Sequence, residues 1–199
     1  MNIQINKYDA NFTAGGILLN EFLALKNILL DDDDVEIQLR NEMEQNNVIG
    51  ISTKTARQRV ILEIIRRVNQ VPKSFWSFFY GLNLLEQKQA LFYLCLKAYP
   101  LIFDLHFEVA VKKYKTSGTI TDYDVQMRLD EIASMHDNVA EWTDKTFKKL
   151  NSQYRTALKD AGLLKNNKLI KSTVQSNLFW NYFKENKDQW FLKACFIEN

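Results

Sequence analysis

Apolar residues recur along most of this chain at steps of three and four, the spacing that lays one stripe down a helix. Leu18, Phe22, Leu25 and Leu29 make such a stripe, with Thr13 as its opening residue. The acidic run Asp31 to Asp34 reads as a cap and first turn, where carboxylates complement the helix dipole, ahead of Val35, Leu39 and Met43. A loop over 46–52 follows. Thr53 then opens a helix with Val60, Ile61, Ile64, Ile65 and Val68 inward. Arg59 and Arg66 fall on its outer face and Arg67 nearer the edge. Arg57 falls on the apolar side, where a buried guanidinium needs a partner unless it reaches past the helix start. Pro72 marks the end of this unit and predicts a boundary between an N-terminal helical domain, 1–72, and a C-terminal domain, 73–199.

Phe75, Trp76, Phe78 and Phe79 follow the proline, an aromatic group that reads as packing rather than as a base-stacking platform. The pattern predicts a buried helix over 84–98. Pro100 starts another, with Phe103, Phe107, Ala110, Val111 and Tyr114 inward, closed by Thr116, Ser117 and Gly118. Thr121 or Asp122 caps a helix through Met135, and Asp137-Asn138 breaks the chain. Segments 177–183 and 189–197 are aromatic-rich and are expected to pack back as C-terminal helices.

The segment from Trp142 to Ser172 has a distinct layout. Phe147, Leu150, Tyr154, Leu158 and Ala161 form one helical stripe, while Lys145, Lys148, Lys149, Ser152, Arg155, Thr156 and Lys159 line the opposite face. Gly162 stops the helix, because glycine takes the left-handed cap conformation at little cost. Two short basic runs then flank Asn166-Asn167, a pair suited to a two-residue turn that needs positive φ. A helix with a basic outer face followed by a small hairpin is the layout of a winged-helix nucleic-acid binder, here over about 121–172. The fold class expected is all-α: bundle-like helical domains with one small β-hairpin.

Composition supports this. Six Gly and two Pro among 199 residues argue against an all-β or loop-rich fold. The net charge is only +2, yet from Lys145 to Lys171 eight basic residues face one acid, Asp160. Lys and Arg on an exposed helix face neutralise phosphates and release counterions. The candidate DNA-binding set is therefore Lys145, Lys148, Lys149, Ser152, Arg155, Lys159, Lys168 and Lys171. A second basic window, Lys54, Arg57, Arg59, Arg66, Arg67 and Lys73 against Glu63, makes a secondary set of Lys54, Arg57, Arg59, Arg66 and Arg67. With the preceding helix it is a possible helix-turn-helix, though the connecting loop exceeds the usual three or four residues.

The search for catalytic chemistry comes back nearly empty. His106 and His136 have no partner at ligand or triad spacing, and His106 reads as a satisfied helix residue. No dinucleotide fingerprint, phosphate-binding loop or nucleophile elbow occurs. The acidic run lacks a second cluster to complete a metal site. Neither a metal nor a cofactor is expected, and the protein is expected not to be an enzyme. Cys95 and Cys195 read as reduced thiols. The longest uncharged stretch, Ser74 to Leu85, falls short of the ~18 residues a membrane span needs, and Met1 to Thr13 lacks a signal-peptide pattern. A cytoplasmic location is expected, with no membrane partner.

The order and spacing of several segments resemble the BrxA family of BREX bacteriophage-exclusion systems. The resemblance runs from Tyr8 to about Leu164. It is carried by Phe12-Thr-Ala-Gly-Gly-Ile-Leu-Leu-Asn-Glu21, by Asn46-Asn47 ahead of the Arg57/Arg59 helix, and by Phe103-Asp104 through Tyr114. Trp142, Thr146, Lys149-Leu150, Leu158 and Ala161-Gly-Leu-Leu164 complete it, and it stops short of 169–199. The resemblance implies a small helical, non-enzymatic, double-stranded DNA-binding accessory protein of a phage-defence operon, partnered by other defence proteins. It transfers no catalytic residues. Competing readings are a protein–protein scaffold, a regulator of its own operon binding one promoter as a symmetric dimer, and a single-stranded RNA binder. The last requires exposed aromatics between Phe75 and Tyr80.

Overall fold

The computed structural model describes residues 8–31 and 34–197, so Asp32 and Asp33 of the acidic run, and residues 1–7 of the N-terminal unit, lie outside the described residues. Nearly all regular structure in them is helical, with one two-stranded antiparallel sheet. The chain enters through a 3-10 turn, Asn11–Ala14, and two short helices, α1 (Leu19–Ala24) and α2 (Lys26–Leu30). Phe22, Leu25 and Leu29 are buried as the stripe predicts. The helix opens at Leu19 rather than at Thr13, whose hydroxyl donates to the Ala10 carbonyl within the turn. Gly15 and Gly16 separate the two. Gly16 sits at φ 62°, which favours glycine, and a Cβ there would come within 2.4 Å of the Gln153 amide and push it aside.

Helix α3 (Val35–Gln45) is capped by Asp34, whose carboxylate accepts from the Glu36 and Ile37 amides. Its buried Glu42 accepts from the amides of Asn47, Val48 and Ile49 and so organises the loop to α4 (Lys54–Val68). Helix α5 (Ser74–Tyr80) buries Phe75, Trp76 and Phe79, which removes them as a base-stacking platform. Pro72 lies in the turn between α4 and α5. The buried apolar side chains on its two sides form one continuous cluster, with Phe22 stacked on Trp76 at 5.3 Å.

Helix α6 (Leu84–Ala98) starts in a reciprocal capping box between Asn83 and Glu86 and, past the exposed Leu84, is buried on nearly every side, as a largely apolar helix must be. The helix from Pro100 to Thr116 has three parts: α7 (Pro100–Asp104), a π-helical segment over Leu105–Val111, and α8 (Lys112–Thr116). The wider π turn shifts the phase. Leu105, His106 and Val109 point inward, while Phe103, expected inside, is 38% exposed and stacks on the half-buried Phe107.

Helix α9 (Asp122–Met135) opens in a capping box between Thr121 and Asp124. The break after it falls at His136, and Asp137-Asn138 begin a short helix, α10 (Asp137–Ala140), rather than interrupting one. Thr143 caps α11 (Asp144–Asp160). Gly162, at φ 73°, ends α11 in a Schellman arrangement: its amide donates to the Lys159 carbonyl at 3.0 Å and the Leu163 amide to the Leu158 carbonyl at 2.8 Å. Strands β1 (Leu164–Lys165) and β2 (Lys168–Leu169) follow, and Asn166 and Asn167 both take positive φ in the turn. Helices α12 (Asn177–Glu185) and α13 (Trp190–Ala194) fold back onto α5 and α6, with Tyr182 stacked on Phe78 at 4.1 Å and Phe183 edge-on to Tyr93.

His106 is fully buried at the junction of these parts. Its Nε2 lies 2.8 Å from the Ala194 carbonyl, which can only accept, so Nε2 carries the proton. Nδ1 then accepts from the Tyr154 hydroxyl of α11 at 3.1 Å. Burial depresses its pKa to about 4, so the ring is neutral.

Two stability predictions follow from these contacts. Gly162→Val should cost roughly 1–2 kcal/mol, because the residue must hold positive φ and its Cβ would meet Leu85 at 3.1 Å. An unchanged denaturation midpoint would contradict this. For His106, the unfolded chain takes up a proton near pH 6.5, above the folded pKa. Its contribution is therefore complete above about pH 6.5 and is lost as the pH falls toward 4. Between about pH 7.5 and pH 5 it should remove roughly 2 kcal/mol, a dependence absent in His106→Gln. Urea unfolding across that range measures it.

Candidate nucleic-acid interface

The buried side of α11 consists of Leu150, Asn151, Tyr154, Ala157 and Leu158. Helical geometry then turns Lys145, Lys148, Lys149, Ser152, Thr156 and Lys159 outward, and all six are exposed. Lys165, Lys168 and Lys171 are exposed on and beside the hairpin. Arg155 is half-buried, and its NH2 donates to Asn167 Oδ1 at 2.5 Å. The eight sequence-predicted residues thus lie on two adjoining elements. Asp160, the acid of this window, lines a separate recess with Glu21 and Lys88, and burial pushes its carboxyl up from the usual range against the pull of Lys88 and Lys159.

The density of unpaired charge sets this surface apart. Several cations elsewhere are held by acids: Arg40 by Glu36, Lys97 by Asp188, Lys112 by Glu108, Lys113 by Asp124, and Arg128 by Asp104 and Glu131. Among the described residues, Lys145, Lys148, Lys149, Lys165, Lys168 and Lys171 make no ion pair. Moreover, Lys165 lies directly across the hairpin from Lys168, a like-charge juxtaposition that costs stability unless an anion answers it.

The secondary window does not form a comparable surface. Arg57 is buried and donates to the carbonyls of Met43 at 2.6 Å and Ile51 at 2.8 Å, tying α3 and the loop to α4. Arg67, placed near the edge by its helical angle, is fully buried. Its Nε donates to the Tyr99 hydroxyl at 3.0 Å, and that hydroxyl donates in turn to Glu63. Both arginines are therefore withdrawn from phosphate contact, because a guanidinium enclosed by protein cannot reach a ligand. Arg66 pairs with Asp9 at 2.8 Å and lies over the Tyr99 ring, and Lys54 pairs with Glu44. Arg59 alone of this set stays exposed without an ion pair among the described residues.

Two features escaped the sequence pattern. The segment after Gly118 joins the hairpin: Thr119 bridges Lys168, the Ile120 amide donates to the Asn167 carbonyl and the Leu169 amide to the Gly118 carbonyl, each at 2.8 Å. A single bridging residue carries no periodicity to find. The other is an open groove of about 530 Å³ between α9 and α11, where Asp122, Tyr123 and Gln126 face Lys148, Ser152, Arg155, Thr156 and Lys159. Tyr123 is 68% exposed there, and spacing alone does not distinguish such an aromatic from a core one.

Comparison with known proteins decides the family. A family model described as BrxA matches residues 6–187. The chain belongs to the BrxA family. The match runs past Leu164, where the sequence resemblance stopped, and takes in α12. A BREX protein BrxA from Bacillus cereus (strain H3081.97) is 25% identical over 150 residues, 74% of this chain and 75% of that one. The crystal structure of an uncharacterized protein from Magnetospirillum magneticum superposes with a TM-score of 0.77 at 21% identity, over 95% of this chain and 98% of that one, a likeness of fold. Family membership supports an accessory role in BREX phage defence, alongside other defence proteins. No single helix among the described residues is long and apolar enough to cross a membrane.

The differing uses of Arg67 and Arg59 predict opposite outcomes on truncation. Arg67→Ala leaves Glu63 buried without its counter-charge and should cost roughly 3–5 kcal/mol. Arg59→Ala should stay within about half a kcal/mol. Chemical denaturation compares them, and equal costs would refute the assignment.

Proposed function

We propose that this BrxA-family chain is a non-enzymatic, cytoplasmic accessory protein that binds double-stranded DNA through α11 and the hairpin, acting as a winged-helix unit. One observation carries the reading. The lysines of this surface are exposed, gathered on two adjoining elements and without ion pairs among the described residues, with Asp160 the one acid between Lys145 and Lys171. Element order supports it: the helix ending at Thr116, the Thr119 bridge, α9, α11 and the hairpin follow one another as a winged helix requires. The outer face offers lysines and hydroxyls and few amides, so contacts to phosphate dominate and sequence preference is weak. The non-enzymatic part rests on the missing motifs and on the enclosure of His106, Cys95 and Cys195, whose thiols burial pushes up.

A second reading, a docking scaffold for other defence proteins, is favoured by an open groove of about 590 Å³ lined by Leu96, Pro100, Phe103, Phe107 and Trp190. It predicts no salt-sensitive binding to DNA.

Gel shifts with duplex DNA, single-stranded DNA and RNA across a salt series test the proposal. With about six phosphates neutralised, duplex affinity should fall roughly a thousandfold between about 50 and 200 mM salt. Replacing Lys145, Lys148, Lys149 and Lys159 together by Glu should abolish binding and leave folding intact, while Arg59→Glu should have little effect. Flat binding across the salt series, or insensitivity to the lysine changes, would remove the DNA reading.

A further inference from the structure

We infer that Arg155 is a positioning residue rather than a phosphate contact: it clamps the Asn166-Asn167 turn, and with it the Lys165–Lys168 pair, against α11. The consequence for DNA rests on the reading above, whereas the clamp itself does not.

A hairpin of two residues per strand is too short to hold itself in water, and this one sets two lysines directly opposite each other. Its order must come from outside. Asn167 supplies two of the attachments. Its main-chain carbonyl accepts from the Ile120 amide at the entrance to α9, and its side-chain oxygen accepts from Arg155 of α11. The turn is thereby tied to both helices that flank the groove.

Arg155 also differs from every other cation of the face. The lysines are exposed, while Arg155 is half-buried, with Nε enclosed and NH2 committed to Asn167. The guanidinium makes this bond through NH2 alone, at a reach one atom longer than a lysine's ammonium, which therefore does not reproduce it. The hairpin lysines are then held at a set offset from Lys145, Lys148, Lys149 and Lys159 before any ligand arrives. Ordering that would otherwise weaken binding is already complete in the free protein.

Asn167→Gly isolates the clamp. Glycine suits the positive φ of the turn, no charge changes, and the side-chain acceptor is lost. In the free, full-length protein, hydrogen exchange at the Leu169 and Ile120 amides should speed by roughly tenfold or more. Arg155→Lys should do the same, and Asn167→Asp should restore protection, since a carboxylate accepts from the guanidinium. Duplex affinity of Asn167→Gly should drop about tenfold with an unchanged salt slope, because no cation has been removed. Unchanged exchange would overturn the clamp. Binding as tight as wild type or tighter would overturn the positioning role in DNA binding, because a freed Arg155 would then be acting on phosphate directly. If the wild type itself fails to bind duplex, the DNA reading falls, while the exchange measurements still decide the clamp.

Discussion

Enclosure of α6 is the constraint on which the rest depends. A largely apolar helix with little face for water must be covered on nearly every side, so α1, α4, α5, α7 and α11 are arranged about it and the C-terminal helices cover what remains. Its polar side chains become structural joints. Gln89, fully buried, donates through Nε2 to the Ala161 carbonyl at the end of α11 and accepts through Oε1 from the Ser172 hydroxyl beyond the hairpin. The two ends of the hairpin segment are therefore anchored to the same residue. His106 adds a further joint, between Tyr154 of α11 and the last turn of α13. Buried polar groups tolerate few alternative partners, so these bonds specify orientation as well as adding stability.

The distribution of charge follows from the same enclosure. A guanidinium taken out of water must be answered by a carboxylate, a hydroxyl or carbonyls, and α4 supplies cations that the N-terminal half uses in this manner. Arg57 closes the α3–α4 loop, Arg67 joins Glu63 through Tyr99, and Arg66 holds Asp9. The lysines of α11 have no such task, because its inward face is almost wholly apolar. What remains on the outer face is charge without an internal counterpart, the condition under which a polyanion gains most from contact.

Much of the fold was legible in the chain. The stripes of α4 and α11, the cap that opens α9, the Gly162 stop and the double-asparagine turn were all readable, because each rests on chemistry within a few residues: helical periodicity, side-chain and left-handed caps, positive φ in a tight turn. The start of the first helix was misplaced because the chain from Asn11 first makes a 3-10 turn and crosses Gly15 and Gly16, the latter against a distant Gln153, before α1 begins at Leu19. In the helix after Pro100, Ala110 and Val111 are buried as read, while Phe103 was misjudged because a π segment adds a residue to the repeat between them. Neither cause is local to the pattern being read.

The candidate site divides along the same line. The sequence by itself determined that a basic helix face and a basic hairpin adjoin, since both lie within one short segment joined by a glycine cap. Which cations remain free was decided only by the tertiary structure. Arg57 already fell on the apolar side, and it ties down a loop. Arg59 and Arg66 share the outer face, yet one stays in water and one pairs with Asp9, and Arg67, placed nearer the edge, is enclosed with Tyr99 and Glu63. Arg155 looks like its lysine neighbours until Asn167, twelve residues away, is seen to hold it. A residue's charge is written in the chain, but its availability depends on desolvation and on partners that only folding brings within reach.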